Sequence, residues 1–288
     1  MTSDISFAVT FAAGEKIETV RIKAGRSSGQ YWRDLVTYRE VLYFLAWRDV
    51  LVRYKQAIFG VGWAVFRPLL TMVVFTMVFG KLGKFPSFGM PYLLMVFTGL
   101  WPWMFFSCAA VDSCNSLVAN QNLVSKVYFP RLLVPLAAIA TALVDFLVSG
   151  LILVALMLFF RVVPSWRLLT LPLFLSVAIA AAASVGIWFS ALNAKYRDLR
   201  FVLPLLVQVG LYLSPVGFAA RTIPEKWLLL YSLNPMVSVI QGFRWAVFGQ
   251  ELHLYWPGFG LSLALLLGML TGGLHFFRNT EKTIADHI

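Results

Sequence analysis

Apolar residues run almost without interruption through residues 65–79, 92–110, 135–160, 169–191, 201–218 and 259–277, and short, mostly basic connections separate the runs. Each run has, or can be extended to, the ~20 residues with which an α-helix crosses a hydrocarbon core about 30 Å thick. Open sheets are excluded as spanning elements, because lipid cannot satisfy the backbone groups along their edges. The pattern predicts an all-α integral membrane protein with six transmembrane helices. It divides the chain into a cytoplasmic tail over 1–30, an amphipathic interface helix region over 31–60 and a six-span domain over 61–288.

Residues 38–58 break the pattern, being apolar overall yet carrying Arg39, Glu40, Arg48, Asp49, Arg53 and Lys55. At helical periodicity Tyr43, Trp47, Val50, Leu51, Tyr54 and Ile58 share one face, with Arg39 and Arg53 on one flank and Arg48 and Lys55 on the other. That arrangement predicts a helix lying in the membrane interface, its rings at the headgroup boundary and its cations snorkelling outward. Val41, Leu45 and Val52 form a second stripe, so the helix is also expected to pack on protein. Gly60-Val61-Gly62 ends it. Earlier, residues 5–11 and 16–23 alternate weakly around Ala12-Ala13-Gly14-Glu15, as a small hairpin or a mobile tail would.

The connection between the fifth and sixth runs is itself apolar. Residues 227–233 and 236–248 are each too short to cross, and Asn234-Pro235 between them supplies an N-cap and a first helical position. Two short re-entrant helices on the outer side are expected, since a seventh span would move Arg278 and Lys282 outside.

Composition agrees with the pattern, at 60% hydrophobic and 13% charged residues. A net charge of +11 would suggest nucleic acid in a soluble protein. Here the cations lie between apolar runs, so they are read as topology signals and as attraction to membrane lipids or an anionic lipid substrate, with no nucleic-acid partner. Nine cations precede Gly62, and Lys126, Arg131, Lys195, Arg197, Arg200, Arg278 and Lys282 bring that side to 16. The other side holds seven, at Lys81, Lys84, Arg161, Arg167, Arg221, Lys226 and Arg244. Both termini are therefore predicted to be cytoplasmic. Asp4, Glu15 and Glu18, without a basic start and apolar core, argue against a secretory signal.

No catalytic, cofactor or metal site is expected. Gly80-Lys81-Leu82-Gly83-Lys84 lacks the spacing of a phosphate-binding loop. His253, His275 and His287 are scattered, and Cys108 and Cys114 project about 240° apart on a helix, as packed thiols do. Acidic residues are almost absent from the runs, which argues against a proton-coupled carrier. Asp145 is the exception, midway along the third run. Ionised, it costs ~2.5–3.5 kcal/mol at a helix centre, so it must find a partner or a proton. Two readings stand: a polar contact in a translocation path, or an interhelical hydrogen bond. Arg67 either snorkels or presents its planar donors to a phosphate. Trp101, Trp103, Trp166, Trp227, Trp245 and Trp256 lie near run ends, as an aromatic belt requires. Phe105, Phe106, Trp188, Tyr196 and Tyr212 fit a belt less well and offer faces on which sugar rings can stack.

Five motifs in order then resemble the type 2 ABC exporter permeases of the polysaccharide and polyol phosphate (O antigen, capsule, teichoic acid) family, from residue 38 to the end. They are Arg48-Asp49-Val50-Leu51-Val52-Arg53-Tyr54-Lys55-Gln56 with Gly60-Val61-Gly62-Trp63-Ala64 and Pro68-Leu69-Leu70, then Asn122-Leu123-Val124-Ser125-Lys126-Val127-Tyr128-Phe129-Pro130-Arg131, then Tyr196-Arg197-Asp198. Tyr212-Leu213-Ser214-Pro215-Val216 with Asn234-Pro235-Met236 follows, and the last is Phe277-Arg278-Asn279-Thr280-Glu281-Lys282-Thr283-Ile284-Ala285-Asp286. The resemblance implies a six-span, multi-pass subunit of the inner (cytoplasmic) membrane that pairs with a second copy and with two ABC ATPase subunits, which bind the ATP and Mg. The implied substrate is a glycan on a polyprenyl diphosphate. Residues 38–58 and 121–131 would meet the ATPase, making Arg48, Arg53, Lys55, Asn122, Lys126, Arg131, Lys195, Arg197 and Asp198 coupling candidates. Arg67, Phe105, Phe106, Asp145 and Tyr212 are substrate-path candidates, and residues 224–248, with Asn234 and Pro235, would form a periplasmic gate. Arg67 departs from the neutral polar residue expected at its position. The alternatives are an ABC permease for a drug or small lipid, a membrane-embedded transferase, which would want clustered His, Asp or Glu, and a passive channel.

Overall fold

The computed structural model of the chain describes residues 28–55, 61–249 and 255–287. The hairpin or tail expected over 5–11 and 16–23, the break at Gly60 and the last turn of the interface helix through Ile58 lie outside them. Among the described residues every regular element is helical. In chain order these are α1 (Ser28–Thr37), α2 (Arg39–Lys55), α3 (Val61–Phe75), α4 (Tyr92–Ala119), α5 (Gln121–Lys126), α6 (Leu133–Phe159), α7 (Leu171–Lys195), α8 (Leu199–Leu213), α9 (Glu225–Tyr231), α10 (Pro235–Phe248) and α11 (Trp256–His287).

Local chemistry sets several boundaries. Glu40 in the first turn of α2 and Arg53 and Lys55 in its last both complement the helix dipole. Pro68 lies inside α3, which widens at its end into a π-helix over Thr76–Leu82. A 3₁₀ turn, Trp166–Thr170, leads into α7, whose first turn holds a proline where its missing N–H costs nothing. Asn234 caps α10 by accepting from the Met236 N–H at 3.0 Å.

Five helical segments are long and apolar enough to cross a membrane: Gly62–Leu82, Tyr92–Ala119, Leu133–Phe159, Trp166–Lys195 and Trp256–Glu281. The chain is a multi-pass membrane protein. The fifth expected span is shorter than its apolar run: α8 stops at Leu213, before Ser214-Pro215, and 15 residues give a rod of ~22 Å. The second expected run is longer than its apolar core, continuing past Asp112 to Ala119.

Helix α4 is the centre, packed against α6 on one side and α7 on another. Small residues make the α7 contact close, since a Cβ on Gly186 would lie 2.5 Å from the Ser113 hydroxyl oxygen. Two faces of the bundle follow from the polar contacts. Asn193 of α7 donates to the Cys114 carbonyl at 3.1 Å, and Arg48 of α2 reaches the Asn120 side chain at 2.6 Å. The Arg131 N–H, just before α6, meets Glu281 of α11 at 2.8 Å. These put the ends of α4, α7 and α11 on one face. On the opposite face the buried Arg244 of α10 donates to the carbonyls of Met95, Phe218 and Val216 at 3.2, 2.9 and 2.7 Å. Helix α8 therefore links the two faces despite its length.

Three expectations need correction. Trp101 and Trp103 are not belt residues but lie 8% and 4% exposed inside the bundle. The Trp101 indole donates to the Phe146 carbonyl at 2.9 Å, and its ring stacks on Phe146 at 4.1 Å. Arg244, counted with the outer loop cations, is fully buried, and burial pulls its pKa down to about 10, so it stays charged at neutral pH. Helix α10, expected to dip into lipid, is enclosed by α4, α7 and α11, whereas α9 is largely exposed.

Candidate functional site

A cleft of about 930 Å³ opens between α3, α4, α6 and α8, with the end of α2 beneath it. On α8 the lining residues Pro204, Val207, Gln208, Leu211 and Tyr212 recur every three or four positions, so one helix face forms that wall. The α3 wall repeats the same way through Ala64, Arg67, Pro68, Thr71 and Phe75. Trp63, Leu70 and Tyr212 are more than half exposed, which leaves the α3 and α8 side of the cleft open.

The charged groups gather where α2 ends. Arg53 donates to Asp112 of α4 at 2.7 Å and to Asp145 of α6, and the Tyr54 hydroxyl donates to the other Asp145 oxygen. Cys108, one turn before Asp112, adds a thiol contact to the same carboxylate at 3.3 Å. Three helices are tied by one guanidinium. Arg53 was expected to snorkel outward from α2; instead it turns inward, because Asp112 and Asp145 would otherwise sit unpaired in an apolar bundle. Leu45, from the second stripe of α2, is buried, and Tyr43 and Trp47 from its aromatic face stay exposed with their rings stacked at 6.4 Å. The Tyr54 phenol is pushed up, first by burial and then by its bond to the Asp145 carboxylate, so it remains a donor.

Toward the other end the walls become aromatic. Phe75 and Tyr212 stack with ring centroids 6.0 Å apart, and Trp101, Trp103, Phe105 and Phe146 line the interior. Arg67 stands exposed on the α3 wall, and its guanidinium has no hydrogen bond or ion pair among the described residues.

Of the substrate-path candidates, Arg67, Phe105, Asp145 and Tyr212 line this one cleft. Phe106 does not, being 9% exposed and tilted against Trp103 at 5.4 Å. Asn234 and Pro235 sit at the start of α10, and the Asn234 amide donates to the Ser214 hydroxyl at 3.0 Å, tying α10 to the end of α8. The coupling candidates split. Lys55, Asn122, Lys126, Lys195, Arg197 and Asp198 are exposed. Arg48, Arg53 and Arg131 turn to internal partners: Asp49 and Asn120, the acidic pair, and Glu281. Sequence reasoning missed Asp112 because it lies past the apolar run. Its position four residues after Cys108, in a helix that could continue, was the available signal. Among the described residues no group of His, Cys, Asp and Glu is placed to hold a metal.

The family model of the ABC-2 type transporters matches residues 40–248, which takes in the whole cleft. The chain is 29% identical over 256 residues to the O-antigen export system permease protein RfbA of Klebsiella pneumoniae, covering 86% of this chain and 94% of that one. It is 25% identical over 260 residues to the O-antigen export system permease protein RfbA of Myxococcus xanthus, covering 89% and 98%. The polysialic acid transport protein KpsM of Escherichia coli is 26% identical over 251 residues, covering 82% and 92%.

Proposed function

The chain belongs to the ABC-2 type transporter family, and on that premise we propose that it is the membrane subunit of an exporter that moves a polysaccharide, carried on a polyprenyl diphosphate, across the inner (cytoplasmic) membrane. Two copies work with two copies of a separate ABC ATPase, which binds ATP and Mg; this chain binds neither and catalyses no reaction. The observation that carries the substrate class is similarity over more than 90% of the length of permeases named for exporting O antigen or polysialic acid.

The geometry supports each part of this reading. The cleft supplies aromatic faces for the C–H faces of sugars and an exposed guanidinium, Arg67, suited to a phosphate. Its open side lies along α3 and α8, whose outer residues Phe66, Val73, Phe201 and Leu205 are also exposed. A second copy facing that side would turn two clefts into one path wide enough for a glycan. Helix α8, linking the two faces, would be the fifth of six spans in chain order, completed by residues beyond Leu213. The exposed set at Lys55, Asn122, Lys126, Lys195, Arg197 and Asp198 forms the docking face for the ATPase. Closure of the ATPase pair on ATP then shifts the population of bundle arrangements, with α2 moving α4 and α6 through Arg53. The outer segment of α9 and α10, held to α8 by Asn234, gates the far end.

Co-expression with the neighbouring reading frames, followed by purification in mild detergent at low salt, tests the assembly. A stoichiometric ATPase subunit is expected. Recovery of the intact chain alone would overturn the ABC assembly and favour a passive channel.

A further inference from the structure

The loop that follows α5 is joined to the chain's far end by a contact that the cleft does not require. The Arg131 N–H donates to the Glu281 carboxylate at 2.8 Å, and the Arg131 guanidinium donates to the Glu281 main-chain carbonyl at 2.6 Å. Two bonds between the same residues fix both the position and the rotation of the loop on α11. One turn earlier, the Arg278 guanidinium lies 5.1 Å from the centre of the Tyr31 ring of α1, and that ring is buried. Three segments far apart in sequence therefore meet at one carboxylate flanked by two cations. From this junction helix α11 runs back to Trp256 as a continuous 26-residue rod packed along α7, with Leu266 and Phe277 buried. It lies beyond the residues matched by the family model.

We propose that Glu281 is a positioning residue that makes α11 a second output of the α5 loop. Displacement of α5 by the ATPase passes through Arg131 to Glu281 and is carried along α11 to the opposite face, in parallel with the route through α2 and Arg53. A helix transmits such a displacement because its hydrogen-bonded backbone moves as one body, and Arg131 holds it at two points rather than one. This inference rests on the proposed docking of an ATPase at α5.

The test uses the complete complex in proteoliposomes, with Glu281→Ala and Glu281→Gln beside the unaltered chain. Three quantities are read: ATPase retained, ATP hydrolysed, and polysaccharide moved per ATP. Glu281→Ala is expected to retain the ATPase and its hydrolysis while transport per ATP falls about tenfold. Glu281→Gln keeps an oxygen that accepts the Arg131 N–H and is expected to restore most of the loss. Unchanged transport per ATP in Glu281→Ala overturns the inference, as does loss of the ATPase from that variant or failure of Gln to improve on Ala. If the unaltered chain itself holds no ATPase, the proposed function fails instead. Should Glu281→Ala not fold, spin labels decide in a chain with Glu281 intact. Labels at Val127 and Asn279, both exposed, must keep their separation when a non-hydrolysable ATP analogue binds, while both move relative to a label at Leu82. A changed 127–279 separation, or no movement of either label relative to Leu82, overturns the inference.

Discussion

Replacing Asp145 by alanine removes the carboxylate that takes hydrogen bonds from both Arg53 and Tyr54, and the structure sets the size of the effect. The Arg53 and Asp145 side chains are 34% and 25% exposed, so the pair is neither a surface pair nor a fully desolvated one. Exposed ion pairs contribute ~0.2–1 kcal/mol, and hydrogen bonds to charged groups ~1.5–3 kcal/mol. Solvent screening places this pair between the two, at about 1–2 kcal/mol. Asp112 remains 2.7 Å from Arg53, so the guanidinium is not left alone in the variant. A double-mutant cycle with Arg53→Ala, Asp145→Ala and the double variant isolates the pairwise part, read from reversible unfolding in mixed micelles by tryptophan fluorescence. The same cycle on Arg48 and Asp49, adjacent in one helix with side chains 38% and 35% exposed, is the control and should couple by less than ~0.5 kcal/mol. A coupling for Arg53 and Asp145 no larger than that of the control would refute the claim that this cluster fastens α2 to the bundle.

Gly99→Ala puts a Cβ 2.8 Å from the Arg244 guanidinium and 3.3 Å from the Val216 Cα, so it should destabilise by ~1–3 kcal/mol in the same unfolding assay. Arg244→Lys cannot reach Met95, Val216 and Phe218 together; each orphaned carbonyl costs ~1–3 kcal/mol, and the melting temperature should fall despite the retained charge. Asn234→Ala loses the α10 cap and the Ser214 tie, for ~1–2 kcal/mol, with α10 showing faster amide exchange at its start. Arg197→Glu, on an exposed turn with no hydrogen-bond or ion-pair partner to lose among the described residues, should leave insertion and protein level unchanged while polysaccharide export drops; normal export would remove Arg197 from the docking face.

The long helices were legible because nothing interrupts their apolar runs. Two boundaries differ for different reasons: at α4 a polar residue reads as the end of a run when a distant partner makes it acceptable inside one, and α8 stops short of its run at Ser214-Pro215, where a proline disfavours helix in the residue before it. Asp112 lies inside α4 because Arg53 reaches it, and Arg53 comes from a segment that reads as an interface helix. Asp145 was recognisable as needing a partner, yet Leu143-Val144 before it and Phe146-Leu147-Val148 after it are apolar and name none. Trp101 and Trp103 looked like belt residues by position, and only the packing of α4 against α6, α8 and α10 buries them. Arg244 gave no sign of its role, since its partners are backbone carbonyls brought together from two distant stretches of chain. Four of the five path candidates still fall in one cleft, and for the charged ones, Arg67 and Asp145, this follows from the cost of an ionisable group in an apolar run unless it is partnered or lines a cavity.

The central claim is that this chain carries polysaccharide across a membrane only when an ATPase drives it. Proteoliposomes holding the chain, its ATPase and a lipid-linked glycan, with an enclosed glycosidase as reporter, test it directly. The account predicts glycan cleavage only when both subunits and hydrolysable ATP are present, and its loss when either subunit is omitted. Cleavage at the same rate without ATP, or with this chain alone, would contradict it.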